Sequence, residues 1–96
     1  MAKIIWAPSA LDDLAAMYDY INQNSPAYAE RLLYRILERT ELLTSQPRIG
    51  RVVPEFANDN LREMIESGYR IIYRIEIGDV IQVVRLQHGS RLLTNI

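Results

Sequence analysis

Arg70 and Arg74 stand at alternate positions in one β-prone run, Tyr69–Ile77, and Arg85 stands in the next, Val80–Gln87. A guanidinium is a planar fork of N–H donors that grips carboxylate or phosphate. Alternate strand residues share a face. A two-residue Gly78-Asp79 turn would pair Ile77 with Val80, Tyr73 with Val84 and Ile72 with Arg85. The three arginines would then form one connected cationic patch, suited to an anion or to the carboxylates of a partner. The plainer alternative is a solvated face balanced by Glu63 and Glu76. His88, with Arg91 soon after, adds a second kind of chemistry. An imidazole can act as general acid near neutral pH, and an arginine can stabilise the charge of a phosphate under attack. Glu55 could serve as the base. Set against these roles are an incidental histidine and an ordinary solvated loop carboxylate.

Other chemistries are excluded or unsupported. The chain has no cysteine, which rules out a thiolate site, and its single histidine argues against an ordinary zinc site. No phosphate-binding glycine loop and no serine or cysteine catalytic motif occurs, and no cofactor is expected. Tyr18, Tyr20, Tyr28, Tyr34, Tyr69 and Tyr73 are many for so small a chain. Tyr69 and Tyr73 suit the rim of a core, with stacking on a base as the alternative. The net charge of −1 and pI of about 5.8 argue against a broad phosphate-tracking surface. Of 11 basic residues only Lys3 is a lysine, so the positive charge is of the kind that recognises partners through arginine. The apolar run at Ile4-Ile5-Trp6 is too short for a signal peptide or a membrane span. A cytoplasmic location is the default, and 96 residues make one domain, 1–96.

The elements that must position these residues follow from periodicity. Lys3–Ala7 is apolar and β-prone, an edge strand ended by Pro8. Ser9 is placed to cap a helix whose apolar stripe is Leu11, Leu14, Ala15, Tyr18 and Ile21. Ser25-Pro26 starts a second helix with Ala29, Leu32, Leu33, Ile36, Leu37, Thr40 and Leu43 on one side, ended at Gln46-Pro47. The short polar link between them predicts a helical hairpin. Gly50, Pro54 and Asn58-Asp59-Asn60 mark a loop. Beyond it Leu61–Glu66, Tyr69–Ile77 and Val80–Gln87 alternate with period two, separated by Ser67-Gly68 and Gly78-Asp79, and predict an antiparallel meander. Tyr69, Ile71, Tyr73, Ile75, Ile77, Val80, Val84 and Leu86 form the apolar face that meets the helices. Arg70, Ile72, Arg74, Val83 and Arg85 form the other face. The expected fold class is α+β: an N-terminal strand and a helical hairpin packed on one face of a small, mostly antiparallel sheet, with the opposite face open and arginine-rich.

Several segments, in order along the chain, resemble the RelE/ParE toxin superfamily of type II toxin–antitoxin systems. They are Trp6 with Ala10-Leu11-Asp12-Asp13-Leu14 and Tyr20-Ile21, Leu43 to Pro47 with Gly50-Arg51-Val52-Val53-Pro54-Glu55, Leu61-Arg62-Glu63, Tyr69 to Arg74, and Val83-Val84-Arg85 through His88 to Arg91. The resemblance implies a toxin held in a hetero-oligomer by a cognate antitoxin, whose tail folds onto it as helix and strand. It implies one of two activities. ParE-like members block DNA gyrase. RelE-like members are metal-independent nucleases that cut mRNA on the ribosome, with a basic loop, a strand arginine and a late tyrosine or histidine. Arg70 matches the strand arginine, and Arg85, His88 and Glu55 would complete a nuclease set. The lysine-rich loop is absent and no tyrosine follows Tyr73, so the resemblance favours the gyrase branch. Arg70, Arg74, Arg85 and Arg91 would then be partner-binding residues. A non-toxic member that only binds its antitoxin is a third possibility.

Overall fold

The structure, a computed structural model, describes residues 1–89, 91 and 93. Strand β1 (Lys3–Trp6) leads into helices α1 (Pro8–Asn22) and α2 (Pro26–Glu41), and a 3-10 turn (Leu42–Thr44) closes the second helix. Strands β2 (Arg51–Val52), β3 (Leu61–Glu66), β4 (Tyr69–Glu76) and β5 (Val80–His88) follow. They form a five-stranded sheet in the order β1-β5-β4-β3-β2. Only the β1–β5 pairing is parallel. The helical hairpin supplies the crossover that a parallel pair requires. The α+β architecture is therefore as the periodicity predicts, with the meander in the middle of the sheet.

Proline opens both helices at a position where its missing N–H costs nothing. The cap of α1 is Ala7, two residues before the expected Ser9. Ser9 lies inside the helix and donates its hydroxyl to the Val84 carbonyl at 2.8 Å. The buried stripe of α1 is consequently rotated: Ala10 and Met17 are in the core with Leu14 and Ile21 against it, while Leu11 and Ala15 are exposed. Of the stripe expected along α2, Ala29, Leu32, Ile36 and Thr40 are buried, as is Leu43 just beyond it, whereas Leu33 is half-buried and Leu37 is exposed.

The β3–β4 turn, Ser67-Gly68, has two residues with positive φ, the geometry that matches strand twist. The β4–β5 turn differs from expectation. Glu76, not Ile77, pairs with Val80, so the loop holds three residues and Ile77 stands fully exposed. This displaces the register by one. A bulge at Val84 restores it, because Tyr73 pairs with Val83 but Ile72 pairs with Arg85. Val83 therefore faces the helices and Val84 the opposite side, the reverse of the expected assignment.

The main core lies between helices and sheet, around Leu32, Ile36, Leu43, Ile71, Tyr73, Ile81 and Val83. The other face is not open in its middle. Val53, Leu61, Ile72, Val84 and Leu93 make a second buried cluster there. The loop after β2 and the segment after β5 thus cover the face on which an exposed arginine surface was expected.

Candidate functional site

Arg70 sits on that second face, 5% exposed, and each side of its guanidinium meets a carboxylate. Its Nε donates to Glu63 Oε1 at 2.7 Å, and its two terminal nitrogens grip Glu55 at 2.7 and 2.8 Å. Glu63 comes from β3, paired beside Ile72, and is 1% exposed. Its second oxygen accepts from Arg51 Nε of β2 at 2.6 Å. Glu55 comes from the loop that β2 leads into and also accepts from the Leu93 backbone N–H at 2.9 Å. Arg70 adds a bond of 3.2 Å to the Arg91 carbonyl. A charge buried this deeply is tolerable only when paired and hydrogen-bonded on all sides. The network meets that requirement and ties three strands, a loop and the segment after β5 together.

The electrostatic consequence is that neither partner titrates near neutral pH. The hydrogen bonds from Arg70, helped by the Leu93 N–H, hold the Glu55 carboxyl down at about 2. Glu55 in turn raises the Arg70 pKa above its ordinary value. A carboxylate so firmly anionic and already gripped on both oxygens is a poor proton acceptor.

The expected connected patch of Arg70, Arg74 and Arg85 does not form as a cationic surface. Arg70 is consumed by Glu55 and Glu63. Arg85 is held at the margin of the sheet by Asp13 of α1, Nε to Oδ2 at 2.7 Å. The same Asp13 oxygen accepts the Leu86 backbone N–H at 3.0 Å. Arg74 is half-buried between Leu61 and Gln82 and makes no ion pair among the described residues. Glu63 neutralises an arginine, as the plainer alternative foresaw, whereas Glu76 is exposed at the far end of β4.

The structure instead sorts the candidate residues into two clefts. One, of about 380 Å³, is lined by Arg51, Pro54, Glu55, Ile65, Arg70 and Gly89. The other, of about 230 Å³, gathers Tyr20, Tyr69, Arg85, His88 and Arg91 with Asp13. His88 is paired with Tyr69 across β4 and β5, ring centroids 5.6 Å apart and nearly perpendicular. Burial pushes the Tyr69 hydroxyl up, with Tyr28 and Tyr20 adding to the shift. Glu55 and His88 thus line different clefts, and Arg74 lines neither.

Two residues take roles that the sequence does not assign to them. Asp13 was hidden in a helical Leu-Asp-Asp-Leu run, where either acid reads as solvated. The Tyr73 hydroxyl was expected only at a core rim. It accepts the Gly50 N–H at 3.0 Å and donates to the Pro47 carbonyl at 2.7 Å, fixing the approach to β2. A Cβ at Gly50 would lie 2.6 Å from the Glu63 carbonyl, so only glycine fits there.

No group of three or more histidine, cysteine, aspartate or glutamate residues that could hold a metal occurs among the described residues. Likewise, no described helix is long and apolar enough to cross a membrane.

Comparison with known proteins fits this architecture. A curated relative, Toxin RelE2 of Caulobacter vibrioides, is 37% identical over 93 residues, spanning 96% of this chain and 100% of that protein. Among solved structures, the chromosomal ParDE toxin–antitoxin system of P. aeruginosa superposes with a TM-score of 0.77 at 24% identity, covering 94% of this chain and 98% of that one. The RelBE2 toxin–antitoxin complex of Mycobacterium tuberculosis superposes with a TM-score of 0.65 at 20% identity, covering 91% and 96%. At those identities the superpositions speak to the fold. The family profile described as the ParE toxin of the type II toxin–antitoxin system parDE matches residues 4–93. Together with the curated relative, that match over nearly the whole chain shows that this protein belongs to the ParE toxin family of type II toxin–antitoxin systems.

Proposed function

We propose that this toxin arrests growth by binding DNA gyrase, and that it does not cut RNA. The observation that supports the reading is the state of Arg70. A nuclease of the related kind needs its strand arginine free to meet phosphate, and needs a base. Here Arg70 is 5% exposed between Glu55 and Glu63, and Glu55 is held near 2. A phosphate entering this cleft could reach Arg70 only by displacing Glu55, the carboxylate on the cleft wall, and like charges placed together in a partly buried site cost several kcal/mol. The acidic pI of about 5.8 points the same way. Partner binding at a protein surface does not require either group to be released.

The cognate partner is a protein antitoxin, in keeping with the toxin–antitoxin systems to which the solved neighbours belong. Purified toxin should inhibit gyrase supercoiling and accumulate cleaved DNA, and equimolar antitoxin should reverse both. Supercoiling unaffected by micromolar toxin would refute the proposal.

The cleft holding Tyr20, Tyr69, Arg85, His88 and Arg91 favours a second reading, cleavage of mRNA on the ribosome with His88 as general acid. Primer extension on translated messages after induction separates the two. New ends in the ribosomal A site would support cleavage, and intact messages in arrested cells would support the gyrase reading. Harmless expression without antitoxin would instead mark a member that only binds its partner.

A further inference from the structure

Charge is sorted unevenly over this molecule. Arg31, Arg35 and Arg39 succeed one another at four-residue steps along α2, so they share one side of the helix with a rise of about 6 Å per step. Like charges at that spacing destabilise a helix, whereas a glutamate in the row would stabilise it. The row faces β3: Arg39 donates to the Ile65 carbonyl at 3.2 Å and lies 3.5 Å from Glu66. Arg31 and Arg35 make no ion pair among the described residues, and Arg31 lies over the Tyr28 ring at 5.8 Å. The helix does carry acids, but Glu38 and Glu41 line a groove on its β1 side.

Three more arginines extend the row over the same margin. Arg62 of β3 donates to the Arg48 and Gly50 carbonyls, which brings Arg48 beside it. Arg51 stands on β2, the outermost strand on this side. Arg48 and Arg51 have carboxylate partners, Asp59 and Glu63, yet keep 55% and 65% of their side chains exposed. The margin of α2, β3 and β2 thus holds six of the ten arginines against three carboxylates, Asp59, Glu63 and Glu66, while the other five basic residues are set against nine acids. A net charge of −1 conceals a basic flank on an otherwise acidic molecule. Leu42, Ile49 and Ile65 are exposed among these arginines, with Ile65 lining the same cleft as Arg51. Arginine interleaved with exposed aliphatic side chains is the composition of a protein interface. The one lysine of the chain, Lys3, is on the opposite edge strand. From this sorting of charge we infer that the α2–β3–β2 margin is the surface by which the toxin meets its protein target, and that the target presents carboxylates to it. The assignment rests on the gyrase reading. Arg31, Arg35, Arg48 and Arg51 would steer the encounter and fix orientation, while Leu42, Ile49 and Ile65 would be covered by the contact.

Three single charge reversals of the full-length toxin test this: Arg35→Glu and Arg48→Glu on the margin, and Lys3→Glu on the opposite edge, an equal change of charge. Gyrase supercoiling and growth arrest on induction are measured for each, with circular dichroism matching wild type. Arg35→Glu and Arg48→Glu should raise the inhibitory concentration at least about tenfold and relieve the arrest. Wild-type inhibition should weaken steeply between about 50 and about 300 mM salt, and Lys3→Glu should behave as wild type. If Arg48→Glu disturbs the loop through Asp59, Arg35→Glu decides alone, because its side chain makes no hydrogen bond or ion pair among the described residues. Margin variants that inhibit and arrest as wild type does would overturn the inference and leave the gyrase reading intact. An equal loss in Lys3→Glu would make the effect one of net charge rather than of place, and would overturn it too. So would binding of wild-type toxin to a DNA or RNA duplex of about 20 base pairs that Arg35→Glu abolishes, since phosphate would then be the occupant. Arrest relieved by the margin variants alone, with wild-type toxin inert on gyrase and on both duplexes, would refute the gyrase reading and uphold the margin as the docking surface for another acidic protein.

Discussion

At the level of single residues, Arg70 and Arg74 look alike in sequence and differ completely in setting. They alternate on one strand, yet Arg70 is locked between Glu55 and Glu63 while Arg74 has no ionic partner among the described residues. Removing one member of a buried ion pair leaves the other charge uncompensated, which costs about 3–5 kcal/mol. Arg70→Ala should therefore lower the urea midpoint severely or prevent folding, and Glu63→Ala should do nearly the same. Arg74→Ala should cost about 1 kcal/mol or less. Equal midpoints for Arg70→Ala and wild type would show the network to be dispensable. The Glu55 carboxyl gives a second residue-level test. Its folded pKa is about 2 against an ordinary 4.5. A depressed carboxyl contributes stability that is complete above the ordinary value and is lost as the pH falls through the folded one. Unfolding free energy should decline between about pH 4.5 and pH 2, and Glu55→Gln should flatten that decline. An unchanged slope in the variant would assign the acid sensitivity elsewhere. Sequence offers Glu63 as a charge balancing the arginine face. It does not bring Glu55 to Arg70, because Glu55 lies in a loop and its contact with β4 depends on how that loop folds over the sheet.

Among the elements, the meander was legible from its period of two and its turn dipeptides, and the helices from their prolines and apolar spacing. What was not legible was the compensation inside the β4–β5 hairpin. A three-residue loop at Ile77–Asp79 displaces the register, and the bulge at Val84 takes the displacement back. Gly78-Asp79 is compatible with either loop length, and two adjacent valines give no sign of which faces which way. The bulge lets Val83 and Val84 be buried on opposite faces, at 0% and 4% exposed. Alanine at either position should thus cost about 1–3 kcal/mol. A neutral Val84→Ala would mean that the second cluster is not a core. The rotation of the α1 stripe was hidden for a related reason. Asp13 and Ser9 are drawn to the β5 edge by backbone groups that no periodicity displays. Asp13→Ala, which strips the acceptor from both the Leu86 N–H and Arg85, should cost about 1–3 kcal/mol by chemical denaturation.

Taken whole, the molecule is a sheet with a helical hairpin on one side and a smaller apolar cluster, clasped by buried ion pairs, on the other. The arginine that most resembles a catalytic group is part of that clasp. This is why the family was legible from ordered motifs while the working surface was not: the motif residues were conspicuous, but which of them pair with one another was not. If the cluster is structural and the toxin acts by binding gyrase, replacing the ion pairs by groups of similar volume should preserve activity, since buried pairs can be exchanged for apolar residues at little cost. The decisive measurement is gyrase supercoiling with the triple variant Arg70→Met, Glu63→Leu and Glu55→Gln, in protein whose circular dichroism matches wild type. The account predicts inhibition at a concentration within about threefold of wild type. A folded variant that no longer inhibits gyrase would contradict it and return Arg70 to the active surface.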